Sequence, residues 1–328
     1  TLGGTDNNDL LIGNGDDVVS ESMCGARWTK YPNRVCGLEF GHDGAHRNCE
    51  ISFPDDEAEP DISRDGLYPN IPDSVYHADQ STLSSSGARQ LLRTPAKFRY
   101  GQDSPTDGRS DVFDFGSAVH TLVLGKGDSI AVLDTKTWRG KEAEQFRKDA
   151  RAAQQIPLKK DDHDKALAMA AAVRDHPLAA ELLSDGIAEQ SGYWTDARTW
   201  LRLRFRPDWV TNYDGATTLV DYKTSVTADP HVFARKAFDY GYHFQAAWYQ
   251  AGWEALIGDR PRFLFVVQEK EPPYLVSVVE FDTHAERQGV SDMRTALDIY
   301  AACKETDSWP GYGSDIHNIS LPAWARRG

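Results

Sequence analysis

Arg206-Pro207-Asp208 is followed, thirteen residues after Asp208, by Asp221-Tyr222-Lys223. Two carboxylates and an amine at that spacing can be folded by a β-hairpin into one cluster, the set that magnesium-dependent phosphodiester hydrolysis requires. Leu201 to Val210 alternates, with Leu201, Leu203 and Phe205 on one face and Arg202, Arg204, Arg206 and Asp208 on the other, the period of a strand. Thr217 to Lys223 alternates too, and Asn212-Tyr213-Asp214-Gly215 between them is turn chemistry. A four-residue loop there pairs Thr211 with Ala216, Asp208 with Leu219 and Arg206 with Asp221. In that register Asp208, Asp221 and Lys223 share a face, the two acids diagonal to each other at about 7–8 Å. A slip of one residue would send them to opposite faces.

The reaction explains the residue types. It needs oxygen ligands for Mg²⁺, a water made nucleophilic near neutral pH, and positive charge where the phosphorane gathers negative charge. Asp208 and Asp221 would hold the cation, and Lys223 would orient or help deprotonate the water. The plainer reading is a surface hairpin whose acids and lysine pair with neighbours. Asp134-Thr135-Lys136 shows how little a bare triplet says: it also lies in a strand-like run, but no Pro-Asp precedes it at hairpin distance.

The elements that must position these groups are legible around them. His231 to Ile257 reads as a helix with Gln245 and Tyr249 four apart on one face. Phe115 to His120 opens another apolar helix, with His120 on the face of Gly116. Ser81 can cap a helix reaching Arg93, ended by Thr94-Pro95. Lys141 to Ala153 and Asp161 to Leu183 read as helices, the second interrupted at His176-Pro177, and a last one spans Thr283 to Glu305. Strands are expected at Ser191 to Thr195, Leu201 to Val210, Thr217 to Lys223, Arg262 to Gln268 and Tyr274 to Phe281. Helices flanking a mixed, partly antiparallel sheet make an α/β (α+β) fold.

His120, Asp208, Asp221-x-Lys223 and Gln245-x-x-x-Tyr249, in that order, resemble the RecB-like branch of the PD-(D/E)XK nucleases. Tyr76-His77, Leu83-Ser84-Ser85-Ser86, Thr94-Pro95-Ala96-Lys97-Phe98, Asp114 to His120, Trp309-Pro310-Gly311-Tyr312 and Leu321-Pro322-Ala323-Trp324-Ala325 resemble the phage and prophage exodeoxyribonuclease VIII (RecE-type) group. The resemblance covers roughly residues 75 to 326. It implies a restriction-endonuclease-like core in which His120, Asp208, Asp221 and the Tyr222 main-chain carbonyl hold Mg²⁺ or Mn²⁺. It makes Lys223 the base or water-orienting group, Gln245 and Tyr249 a pair that steadies the site and the DNA backbone, and Glu189 a support for the metal or Lys223. It also implies a ring-like homo-oligomer and a single-strand annealing partner. A histidine on an apolar helix, or a Gln and Tyr four apart, would without the family be read as ordinary packing.

The net charge of −14 is unevenly placed. Residues 1 to 80 hold 16 acids against 5 Lys and Arg, whereas residues 81 to 328 hold 34 against 31, so the remainder is nearly neutral. Within it Arg89, Arg93, Lys97 and Arg99, and the stripe Arg202, Arg204 and Arg206, are expected to meet phosphates beside the site. At 328 residues the chain can bury a sizeable core, and no run of ~18 apolar residues exists to span a membrane.

Residues 23 to 50 carry a second signal. Cys24, Cys36, His42 and His46 form a set whose His-x3-His spacing suits a structural Zn²⁺, in a segment too short to bury its own core. Cys49 follows closely and Cys303 lies far away, a distribution that matches neither an iron–sulfur cluster on C-terminal cysteines nor a secreted disulfide framework. Residues 1 to 22 faintly resemble calcium-binding nonapeptide repeats but are too few to stack; they are expected to be unstructured, or a remnant ahead of a start at Met23. Residues 51 to 73 read as an acidic, proline-flanked linker, and residues 74 to 328 as the nuclease domain. The expectation is a metal-dependent exonuclease acting on linear double-stranded ends in a bacterial cytoplasm. An endonuclease, a single-strand-specific nuclease or a non-catalytic DNA-binding module is the alternative.

Overall fold

The computed structural model describes residues 27–28, 31–35, 61–103 and 111–320. The chain divides into two units, Thr1–Glu59 and Pro60–Gly328. In the first, β1 (Arg27–Trp28) and β2 (Tyr31–Val35) form an antiparallel pair. Cys24, Cys36, His42, His46 and Cys49 lie outside the described residues.

The second unit opens with β3 (Gly66–Tyr68), α1 (Asp73–Ala78), β4 (Leu83–Ser84), α2 (Ser85–Arg93), α3 (Pro95–Asp103) and α4 (Asp111–Leu124). There follow β5 (Ile130–Leu133), α5 (Lys141–Ala152), β6 (Ile156–Lys159), α6 (Lys160–Asp175), α7 (Pro177–Ser184), β7 (Ile187–Ala188) and β8 (Ser191–Thr195). The chain then forms β9 (Arg202–Phe205), β10 (Trp209–Tyr213), β11 (Ala216–Ser225), α8 (Pro230–Asp239), α9 (Tyr242–Ile257), β12 (Arg262–Glu269), β13 (Val276–Val279) and α10 (Thr283–Thr306).

A five-stranded sheet runs in the order β13-β12-β11-β10-β7, with β11 and β12 parallel and the other pairs antiparallel. A four-stranded sheet runs β3-β8-β9-β4, and β5 and β6 form a small parallel pair. In the five-stranded sheet β11 is central and buried on both faces. Leu219, Phe263, Phe265 and Val267 join a core with α9, α10 and the four-stranded sheet. Val220, Tyr222, Leu264 and Val266 join a second core with Val119 of α4 and Met169 and Val173 of α6. The alternation of a strand, applied at the central position, thus assigns Asp221 and Lys223 to the α9 side.

Four expectations are corrected. Leu201 to Val210 is two strands in two sheets, because Pro207 has no N–H to continue a ladder. The hairpin turns on two residues, Asp214 (φ 52°) and Gly215 (φ 76°), so Tyr213 faces Ala216 and Thr211 faces Thr218. Two consecutive positive φ values suit an Asp-Gly hairpin turn, and the shift of two residues from the expected register keeps every side chain on its face. The helix from His231 breaks at Gly241 (φ 68°), giving α8 and α9. Ser84, not Ser81, caps α2, since the Ser81 amide and hydroxyl both donate to Asp79.

Residues 61–73 belong to the folded unit and are not linker. Ile71 is buried, the aromatic rings of Tyr68 and Tyr76 pack edge-on against Tyr193, and Asp65 binds the Thr195 amide at 3.0 Å.

Candidate active site

One step beyond the Trp209–Val220 pair, Asp208 faces Asp221 across the hairpin. The Tyr222 amide donates to Asp208 Oδ2 at 2.7 Å, which holds that carboxylate against β11. Asp221 is 1% exposed. Its Oδ1 accepts from Gln245 Nε2 of α9 at 2.7 Å, and its Oδ2 forms an ion pair with the Lys223 ammonium. From the other side of the sheet, His120 of α4 brings Nε2 to 3.2 Å from Asp208 Oδ1.

Charge and burial pull these groups apart. Burial and the neighbouring Asp208 carboxylate push Asp221 up to about 6, against the opposing pull of Lys223. Asp208 is less completely buried, and His120, Lys223 and the Tyr222 amide hold it below the usual carboxylate range despite the burial. Burial disfavours the His120 imidazolium, but Asp208 and Glu189 outweigh it and raise the group to about 9. Lys223 is raised as well, its burial offset by Asp221 and Asp208. The result is one firmly ionised acid, one acid easily protonated, and two cations that balance them.

Glu189 stands in the left-handed region (φ 51°), with its amide donating to the Asp208 carbonyl at 3.0 Å. Its carboxylate points to His120, Oε1 lying 3.8 Å from Nδ1, so it supports the imidazole and not Lys223. Burial and the Asp73 charge raise its pKa. Tyr249 lies one turn after Gln245 on α9 and is raised well above its ordinary pKa by burial. The sequence reading passed over Tyr242, whose ring lies 5.3 Å from Lys223 Nζ. Its place one turn before Gln245 was the available signal.

The arginine stripe is employed inside the fold. Arg202 bonds Asp65 and the Ile62 and Arg64 carbonyls; Arg204 bonds the Asp79 and Thr82 carbonyls; Arg206 bonds Asp73, Ser191 and the Ile71 carbonyl. Arg204 and Arg206 also lie over Tyr76, at 5.1 and 4.0 Å from its ring centre. Residue type and alternation had suggested phosphate contacts, but the segment 61–82 folds back over this face and takes the donors. In the Asp134 triplet, Lys136 pairs with Asp161, and the adjoining strand belongs to the small β5–β6 sheet.

The donor set suits a hard divalent cation: two carboxylates and an imidazole, with Asp221 Oδ2 buried and paired with the Lys223 ammonium. Among the described residues no three His, Cys, Asp or Glu side chains are gathered closely enough to form a ready-made metal site. His120 and Asp208 pair with each other instead, and Lys223 neutralises Asp221. No helix among the described residues is long and apolar enough to cross a membrane.

No curated protein matches the sequence. Among solved structures, the fold is similar to that of a candidate exonuclease from Eubacterium rectale, with TM-score 0.50 and 16% identity over 76% of this chain and 96% of that one. Protein SSO0001 (TM-score 0.31, 12% identity, 67% of this chain and 77% of that one) and protein VC1899 from Vibrio cholerae (0.21, 12%, 73% and 58%) are more distant. Residues 84–321 match the family described as a PDDEXK-like domain of unknown function, DUF3799. That span contains His120, Asp208, Asp221, Lys223, Gln245 and Tyr249, and the chain is a member of this PDDEXK-like family.

Proposed function

We propose that this protein is a metal-dependent exodeoxyribonuclease that hydrolyses phosphodiester bonds from the ends of linear DNA, of the RecE-type kind that serves phage recombination or repair. The observation that carries the nuclease reading is the buried Asp208–Asp221 pair, with Lys223 two residues along β11 and Gln245 reaching in from α9. His120, Asp208, Asp221 and the Tyr222 carbonyl are the groups that would hold Mg²⁺ or Mn²⁺. When bound, the cation would polarise the phosphodiester and make a coordinated water more acidic.

The chain's own residues do the rest. Lys223 positions the attacking water and offers positive charge where the phosphorane becomes negative. Gln245 fixes the orientation of Asp221, and Glu189 that of His120, so neither group must reorganise during the reaction. Tyr249 and Gln245 form the wall along which the scissile strand lies. Action from ends is favoured by the resemblance to the RecE-type group and by the likeness to the E. rectale protein. A ring-like oligomer and a single-strand annealing partner go with that resemblance.

The test is incubation with Mg²⁺ of linear DNA beside the same DNA covalently closed. Loss of the linear form alone is expected. Nicking of the circle would identify an endonuclease, and survival of both a binding module.

A further inference from the structure

The rings beside Lys223 form a series that ends in solvent. Phe265 of β12 stacks with Tyr242 at 5.6 Å between ring centres and 28° between planes, and Tyr242 stacks in turn with Tyr240 at 5.7 Å and 26°. Phe265 is fully buried, Tyr242 partly so, and Tyr240 is 59% exposed. Lys223 Nζ lies over the Tyr242 ring, so the exposed face of Tyr240 is one ring removed from that amine.

A single exposed aromatic side chain is common and needs no explanation, but this one is held in place. Residues two apart on a helix do not face each other. Tyr240 meets Tyr242 because Gly241 (φ 68°) breaks the helix between them. The Tyr240 amide donates to the Lys236 carbonyl at 2.9 Å, while the Tyr240 carbonyl accepts from Arg89 of α2 and the Asp239 carbonyl from Arg93. A ring fixed at its backbone and backed by a second ring loses little freedom when a flat group settles on its open side.

The neighbouring site decides what that group is. Lys223 and the two acids act on a phosphate, and the flat groups that a phosphate brings with it are the bases attached on either side. Within a duplex both faces of a base are covered by its neighbours, whereas an unpaired base has a face to offer. Every base has such a face, so stacking tolerates any sequence.

We propose that Tyr240 stacks against an unpaired base of the strand being cut, next to the scissile phosphate, and so selects an opened end over a closed duplex. The proposal deepens the nuclease reading and rests on it.

Binding is measured by fluorescence anisotropy in EDTA, so that no hydrolysis contributes. The probes are hairpin duplexes whose open end is blunt or carries a short single-stranded extension on the 5′ or the 3′ strand. A matching set has abasic sugars in the extension, which keep the phosphates and remove the bases. The proteins are the full chain, Tyr240→Ala, Tyr240→Leu, Tyr240→Phe and, as a control, Trp200→Ala, which removes another exposed ring from the turn between β8 and β9. Wild type should bind an extension with bases more tightly than its abasic counterpart. Tyr240→Ala and Tyr240→Leu should weaken binding to the extension with bases about tenfold, as expected for one base stacked on one aromatic ring, and leave the abasic probes unchanged. Tyr240→Phe and Trp200→Ala should bind as wild type does. Should the Tyr240→Ala protein melt early, Tyr240→Leu decides, because it keeps apolar bulk against Tyr242. Four results overturn the stacking role: a wild type indifferent to the bases, Tyr240 variants that bind unchanged, an equal loss on abasic probes, or an equal loss in Trp200→Ala. In each case the nuclease reading stands if wild type degrades linear DNA with Mg²⁺. A wild type that binds no probe and cuts no DNA removes that reading and the proposal with it.

Discussion

At Asp208 and Asp221 two carboxylates share a largely buried space with one imidazole and one ammonium, and the state of each cation depends on both acids. Asp208→Ala or Asp221→Ala should abolish cleavage while largely sparing DNA binding, because these acids act on the transition state more than on the duplex. Lys223→Ala should lower turnover by about 10²–10⁴-fold. Asp134→Ala should cut normally, since its triplet follows a strand of another sheet; gel assays on linear DNA decide all four, and an active Asp221→Ala protein refutes the site. His120 predicts a pH dependence. Its folded pKa of about 9 lies above the ordinary 6.5, so in metal-free protein its stabilisation is complete below pH 6.5 and is lost as pH rises through 9. The amount is on the order of 3 kcal/mol. Urea midpoints should therefore fall across that window in wild type and much less in His120→Gln; profiles that fall equally would show that the imidazole does not sense its acids.

At the scale of elements, the site depends on how closely α9 is pressed into place. A Cβ at Gly289 of α10 would overlap the carbonyl oxygen of His243 on α9, and a Cβ at Gly252 would run into Phe205 and Trp194. The first obstacle is backbone, which cannot turn aside as a side chain can. Gly289→Ala should thus cost about 2–3 kcal/mol and reduce cleavage by shifting Gln245 relative to Asp221. Denaturant unfolding alongside the nuclease assay measures both, and a variant with wild-type stability would mean that the helices are free to separate.

At the scale of the whole molecule, the acidic excess of the first 80 residues and the division after Glu59 predict that a chain beginning at Pro60 still degrades linear DNA. One beginning at Ser74 should not fold well. It would lack Asp65 and Asp73, the acidic partners of Arg202 and Arg206, and Ile71 from the core around Tyr193. Both carboxylates are about half-exposed, so solvent screens each lost ion pair to about 1 kcal/mol, and the loss of the buried Ile71 side chain adds to that. Circular dichroism melts of the two chains, read with the cleavage assay, separate these outcomes; a well-folded, active Ser74 chain would show that residues 60–73 are ornament.

The residues of the site were legible in the sequence because their spacing is local. Asp-x-Lys on a strand and Gln-x-x-x-Tyr on a helix each share a face by the period of the element alone, and even a register wrong by two left the acids facing Lys223's side of the sheet. Strand alternation gave no such guidance for Arg204 and Arg206. An arginine beside a catalytic acid looks the same in sequence whether it meets a phosphate or a carbonyl. Only the return of residues 61–82 over that face, contacts more than 120 residues apart along the chain, decided that these guanidiniums are internal. Long-range packing likewise places His120 against Asp208 from the opposite side of the sheet. Periodicity fixes which way a side chain faces within its own element; what waits there is determined by elements distant in sequence, whose approach is governed by burial of the whole core.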